Sequence, residues 1–255
     1  MTLLATTLYG EGTGTPLLIA HGLFGSARNW RALARHFGRS RPVIVVDMRN
    51  HGASFWADGN SYFDMADDLA QVIVAQGGQA DVLGHSMGGK AAMVLALSRP
   101  ELVRRLIVAD IAPIAYGHTQ MDNLEAMRAV PLAEVSRRSE VDKLLAEVIS
   151  EPEVRAFLLS SLALAEGGNR WLLNLDALAN NMDSIIGFPD MAGVFDGPAY
   201  FVHGGASDYV LPKHHKTIEA LFPRAQYHRI EGAGHWVHAE KPREFIAVTE
   251  ALLGR

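Results

Sequence analysis

The sequence predicts an α/β fold: a mostly parallel central sheet, helices on both of its faces, and an all-helical cap inserted above the strand ends. Three observations carry that expectation. Short apolar runs alternate with segments of helical periodicity along most of the chain, the pattern of parallel strands joined by crossover helices. The runs Leu17-Leu18-Ile19-Ala20, Val43-Ile44-Val45-Val46 and Leu106-Ile107-Val108-Ala109 are apolar at every position, as strands covered on both faces require. Between residues 113 and 192 the alternation stops and only helical spacing remains, so this block reads as an insertion. The core domain then comprises 1–112 and 193–255, and the cap 113–192.

In chain order, residues 3–9 form an edge strand, and Gly10-Glu11-Gly12-Thr13-Gly14 reads as a hairpin turn because it precedes a strand, where a phosphate loop would precede a helix. The first buried strand ends in His21-Gly22-Leu23-Phe24-Gly25-Ser26, and Ser26 caps a helix carrying Trp30, Leu33 and Phe37. The strand 43–47 leads into the loop Met48-Arg49-Asn50-His51-Gly52. Helical spacing over 62–75 (Met65, Leu69, Val72, Ile73) stops at Gly77-Gly78. The strand 81–85, a turn and a helix halted by Pro100 follow, and the next strand terminates at Asp110. The insertion carries candidate helices over 122–130, 132–149, 153–165 and 171–186. Alternation resumes with a strand at 199–203, a helix near 214–222, a strand at 226–230 and a last helix over 242–253. Within the insertion, Met121, Met127, Phe157, Trp171, Met182 and Phe188 are expected to divide between helix core and cleft.

Composition narrows the function. The chain has 255 residues, 49% apolar and 20% charged, which suits a large packed core. With 23 basic against 28 acidic residues and a net charge of −5, nothing favours a nucleic-acid partner. There is no cysteine, so no disulfide and no thiol nucleophile. No signal-like N-terminus and no membrane-spanning run is evident, and a soluble cytoplasmic protein is expected.

Chemistry concentrates in Gly84-His85-Ser86-Met87-Gly88-Gly89-Lys90, a G-x-S-x-G sequence between a strand and a helix. Glycines at this sharp turn remove clashes and hold the Ser86 hydroxyl out as a nucleophile. A serine hydroxyl needs a base, and His235, in Gly232-Ala233-Gly234-His235-Trp236 after the final strand, is the best placed of the 11 histidines. His238, one helical turn on, would face elsewhere. The acid follows the nucleophile at a strand end, where two residues qualify: Asp110 and Asp208, with Asp176 a remote third; spacing points to Asp208. The oxyanion donors are the backbone N–H of Met87 and, from the first loop, that of Leu23, with Phe24 next. Phe24, Tyr209 and Trp236 are candidate substrate-pocket residues, and His21 is a structural hydrogen-bonding residue. His214-His215 reads as an exposed helix start, with no metal-ligand spacing. Asp47 and Arg49 either bind something polar or fix the loop beside the elbow.

The stretches HGLFGS (21–26), VDMRNHG (46–52), GHSMGGK (84–90), DIAP (110–113), GGASDYV (204–210) and GAGHWVHAEKP (232–242) together resemble the α/β-hydrolase fold, and closely the small YbfF-type esterases. They span most of the core in order; the insertion matches only loosely. The resemblance implies that Asp110 is the acid and that Ser207 stands at the alternative acid position. Asp208, adjacent to that serine, departs from the pattern. It further implies a cofactor-free hydrolase of carboxylic esters, with acyl-CoA thioesters as a substrate class. The same site can also serve carbon–carbon bond hydrolysis or perhydrolysis, or a non-turnover ligand-binding role.

Overall fold

The computed structural model describes residues 2–165 and 167–254. The apolar runs form β1 (Thr6–Tyr9), β2 (Leu17–Ala20), β3 (Val43–Val46), β4 (Ala80–His85), β5 (Val103–Ala109), β8 (Ala199–Gly204) and β9 (Ala225–Ile230). These seven build one sheet in the order β1-β3-β2-β4-β5-β8-β9, with β1 antiparallel to β3 and every other neighbouring pair parallel. Because β3 lies between β1 and β2, the glycine-rich turn at 10–14 is not the hairpin expected from its composition. It carries the chain over the end of β3 to a non-adjacent position in the sheet.

Side chains alternate across each strand, so a fully apolar run buries residues on two faces. Leu18 and Ala20 join one cluster, with Ile44, Val46, Val82, Leu106 and Val108, beneath α2 (Tyr62–Ala75) and α3 (Met87–Ser98). Leu17 and Ile19 join the other, with Val43, Val45, Leu83, Ile107 and Ala109, against α1 (Arg31–Phe37) and α11 (Pro242–Leu252). Ser26 caps a short 3-10 turn (Ala27–Trp30) that leads into α1, and Trp30, Leu33 and Phe37 are buried.

Between β5 and β8 lie α4 (Met121–Ala129), α5 (Arg138–Leu145), α6 (Pro152–Leu159), α7 (Leu175–Asn180) and α8 (Met182–Ile186). Helices alone were expected here. A two-stranded antiparallel ribbon, β6 (Leu162–Ala163) with β7 (Arg170–Trp171), breaks that pattern. Strands of two residues are too short to show an alternating period, and Trp171 in β7 is buried with its indole N–H donating to the Met127 carbonyl. The helix expected over 132–149 is confined to α5, because Pro131 is followed by a turn that reaches to Arg137. Beyond β8, α9 (His215–Leu221) leads to β9, and α10 (Val237–Glu240) precedes α11. The exposed helix start expected at His214-His215 does not hold for His214. It is buried at the end of a 3-10 turn, while His215 stacks on Tyr227 with ring centroids 3.8 Å apart.

Candidate active site

Register brings the candidate residues to one edge of the sheet. Ala20 pairs with Gly84, His85 with Ala109, and Ala109 with Val202, so the loops after β2, β4, β5 and β8 open side by side. Ser86 and Asp110 are the first residues past their strands. Each still donates its N–H along the ladder, to Ala109 O (3.1 Å) and Val202 O (2.9 Å). Both then turn through the left-handed region, at φ 51°. For residues with a β-carbon that conformation costs about 1–3 kcal/mol, and surrounding packing must enforce it. At the elbow the reason is visible: a β-carbon at Gly84 would lie 2.3 Å from Gly88 O, and one at Gly88 would lie 2.5 Å from Ala20 O. Strand and helix backbones touch, and only glycine permits it.

His235 sits on the loop between β9 and α10. Its Nδ1–H donates to Asp110 Oδ2 at 2.8 Å, and its Nε2 accepts the Ser86 hydroxyl at 3.1 Å. That pairing fixes the tautomer, since a carboxylate can only accept and the ring nitrogen facing it must carry the hydrogen. Asp110 is fully buried and also accepts from Gly204 N–H (3.0 Å) and from the Ser207 hydroxyl (2.5 Å), so three donors satisfy it. Asp208 is exposed, and Asp176 is exposed and paired with Arg128 at 2.5 Å; neither bonds His235. Tyr209 stacks on the His235 ring at 3.9 Å.

Around these groups lies a cavity of about 120 Å³. Leu23, Phe24, Tyr209 and Trp236 line it from the core side, and Val154, Phe157, Leu158, Ile185 and Ile186 from the segment between β5 and β8. In the first loop the N–H of Phe24 is already donated to His51 Nε2 (3.2 Å), whereas among the described residues no acceptor takes the N–H of Leu23. Met87 opens α3, so its N–H has no helical partner either. Asp47 accepts from the N–H groups of Ala27 and Ala53, and Arg49 grips Asp68 at 2.6 Å and 3.0 Å. Both therefore fix loops.

Sequence reasoning assigned no role to His51, His85, Tyr116 or Lys90. His85 Nε2–H donates to the backbone carbonyl of His235 (2.9 Å), tying the loop that carries His235 to the strand before Ser86. Lys90 ends in the cavity wall, and burial pulls its pKa down to about 7. Both lie inside the elbow stretch, which marks them as neighbours of Ser86 but leaves their partners unspecified.

Buried imidazoles surround the site. Burial lowers His21 to about 4, His51 to about 3 and His238 to about 3 from the usual 6.5, and lowers His85 well below that value. Hydrogen bonds fit neutral rings: His21 Nε2 accepts from Met48 N–H, and His51 Nε2 from Phe24 N–H. Above pH 6.5 these rings are neutral folded or unfolded and add no pH dependence. Below it the unfolded chain takes protons that the folded one refuses, so stability falls as pH drops toward 4. Each group contributes ~1.4 kcal/mol per pH unit, against a typical total of about 5–15 kcal/mol. Acid unfolding is therefore expected between about pH 6 and 4. A circular-dichroism titration checks it; native signal persisting at about pH 3.5 would contradict the burial argument.

A serine on a strand-to-helix turn, a histidine and a buried carboxylate, hydrogen-bonded in series at the edge of this sheet, define a class, and a family model described as "Alpha/beta hydrolase family" matches residues 17–248. The chain belongs to that family. Among its relatives, the mouse sn-1-specific diacylglycerol lipase ABHD11 is 43% identical over 257 residues, covering 96% of this chain and 83% of that protein. Esterase YbfF of Escherichia coli K12 is 37% identical, covering 93% and 92%. A solved marine microorganism esterase superposes with a TM-score of 0.95 at 37% identity, covering 99% of this chain and all of the other. Among the described residues no helix is long and apolar enough to cross a membrane.

Proposed function

We propose that this carboxylic ester hydrolase works through an acyl-enzyme on Ser86. His235 takes the Ser86 proton as the hydroxyl attacks the ester carbonyl, and Asp110 holds the imidazole in the required tautomer and stabilises the imidazolium. The N–H groups of Leu23 and Met87 bind the oxyanion, each such donor being worth about 3–4 kcal/mol. His235 then protonates the leaving group, activates water and returns the proton to Ser86. Residues 113–192 act as the cap, roofing an ester chain with Val154, Phe157 and Ile186.

The single observation behind this reading is the relay Ser86–His235–Asp110, at 3.1 Å and 2.8 Å, opening on the cavity. Its wall also favours a neutral apolar chain: among the described residues lining it there is no carboxylate and no guanidinium, and backbone carbonyls accept from the amine of Lys90. Relatives named esterase or lipase support esters, and a thioester fits the same chemistry. The test pairs p-nitrophenyl butyrate turnover with a fluorophosphonate probe. Linear turnover and one covalent adduct on the peptide holding Ser86 are expected. A stoichiometric burst followed by no further product would favour the ligand-binding role and sink this one.

A further inference from the structure

Lys90 lies one helical turn beyond Ser86, its N–H donating to the Ser86 carbonyl at 3.0 Å. Its side chain is 1% exposed, yet no carboxylate among the described residues forms an ion pair with it. A buried amine without a counter-ion is costly unless its N–H groups find acceptors, whether or not it carries the extra proton. The acceptors are the main-chain carbonyls at the end of α8. Nζ donates to Ile186 O at 2.8 Å and to Gly187 O at 2.5 Å, and lies 4.8 Å from the centre of the Tyr116 ring. Tyr62, opening α2, donates its hydroxyl to the neighbouring Ile185 O at 2.5 Å, and Tyr116 N–H donates to Ile186 O at 3.1 Å.

The last carbonyls of a helix lack internal partners, and cations are favoured there. With five residues, α8 is too short to hold its own shape in water, so its position depends on what grips it. Two of the gripping side chains, Lys90 and Tyr62, come from the core helices α3 and α2. The residues they grip, Ile185 and Ile186, line the cavity beside Ser86.

We propose that Lys90 is a specificity-determining residue. By holding the end of α8 it fixes Ile185 and Ile186, and so limits the length of ester chain the cavity accepts. The inference rests on the ester-hydrolase reading and adds to it what sets chain length. Releasing the grip lets that part of the roof recede, and longer chains gain.

Two ester series test it, one varied in acyl length and one in alcohol length, on the unsubstituted protein, Lys90→Met and Tyr62→Phe. In at least one series, Lys90→Met should raise the long-to-short ratio of kcat/KM about tenfold, the scale of a methylene's fit in an apolar pocket, and do so through KM. Tyr62→Phe should move the same ratio in the same direction by less. Amide hydrogen exchange over 182–187 should quicken in both variants, a readout independent of turnover. If the unsubstituted protein turns over esters while neither ratio moves, or if exchange is unchanged, the inference alone fails. If it turns over no ester at all, the hydrolase reading fails as well. Should Lys90→Met not fold, the Tyr62→Phe ratio and exchange decide in the same way.

Discussion

Ser86→Ala is expected to lower kcat for p-nitrophenyl butyrate by roughly a millionfold, the loss seen when the nucleophile of such a relay is removed. The size follows from roles that work as one unit. Without the hydroxyl, His235 has no proton to take and no acyl-enzyme forms, so its bond to Asp110 becomes idle. What survives is the far smaller assistance of the oxyanion donors and of binding. The fold should not suffer. Alanine keeps the β-carbon that already occupies the left-handed turn, and Ser86 bonds no other side chain besides His235. Steady-state kinetics and a melting curve check both halves. Turnover near the unsubstituted rate in a folded variant would remove Ser86 from the mechanism.

Asp110→Asn should lower kcat by roughly ten-thousandfold, because an amide supports the wrong imidazole tautomer. The environment sharpens that expectation. Asp110 receives three donors, from Gly204, Ser207 and His235, and an asparagine must present an NH₂ to at least one of them. Satisfying the Gly204 amide with the carbonyl turns the NH₂ toward Ser207 and His235. The ring must then offer an unprotonated Nδ1, which puts its proton on Nε2 and blocks proton uptake from Ser86. Asp208→Asn should change kcat by less than about threefold, as expected of an exposed side chain away from the relay. The opposite ranking, with KM measured for each, would transfer the acid role to Asp208.

These predictions differ in how far the sequence could support them. Ser86 was legible because the signal is local: an apolar strand, glycines at two fixed offsets, and small residues opening a helix. His235 was legible by place, after the last strand on a glycine-rich loop. The carboxylate was not legible from spacing, since Asp110 and Asp208 both follow strands. Spacing pointed to the exposed one, and resemblance to the buried one that bonds His235. The short ribbon at 162–163 and 170–171 escaped detection because two residues carry no period, and the placement of β1 beside β3 left no trace in the turn that precedes β2.

Local chemistry within a few residues therefore determined the seven strands of the main sheet, the core helices and the strained turn at Ser86. Only the tertiary structure decided which partners meet. Asp110 and His235 lie 125 positions apart in the chain, and Ser86 and His235 lie 149 apart. Sheet order and register bring these pairs together, and neither is encoded within a few residues of the groups involved. The same holds for the Phe24 N–H, which a histidine of another loop withdraws, and for Lys90, whose buried amine is bonded by carbonyls at the end of α8. Conformational preference is set by adjacent residues, whereas hydrogen-bond partners are set by how distant segments pack, and this site depends on both.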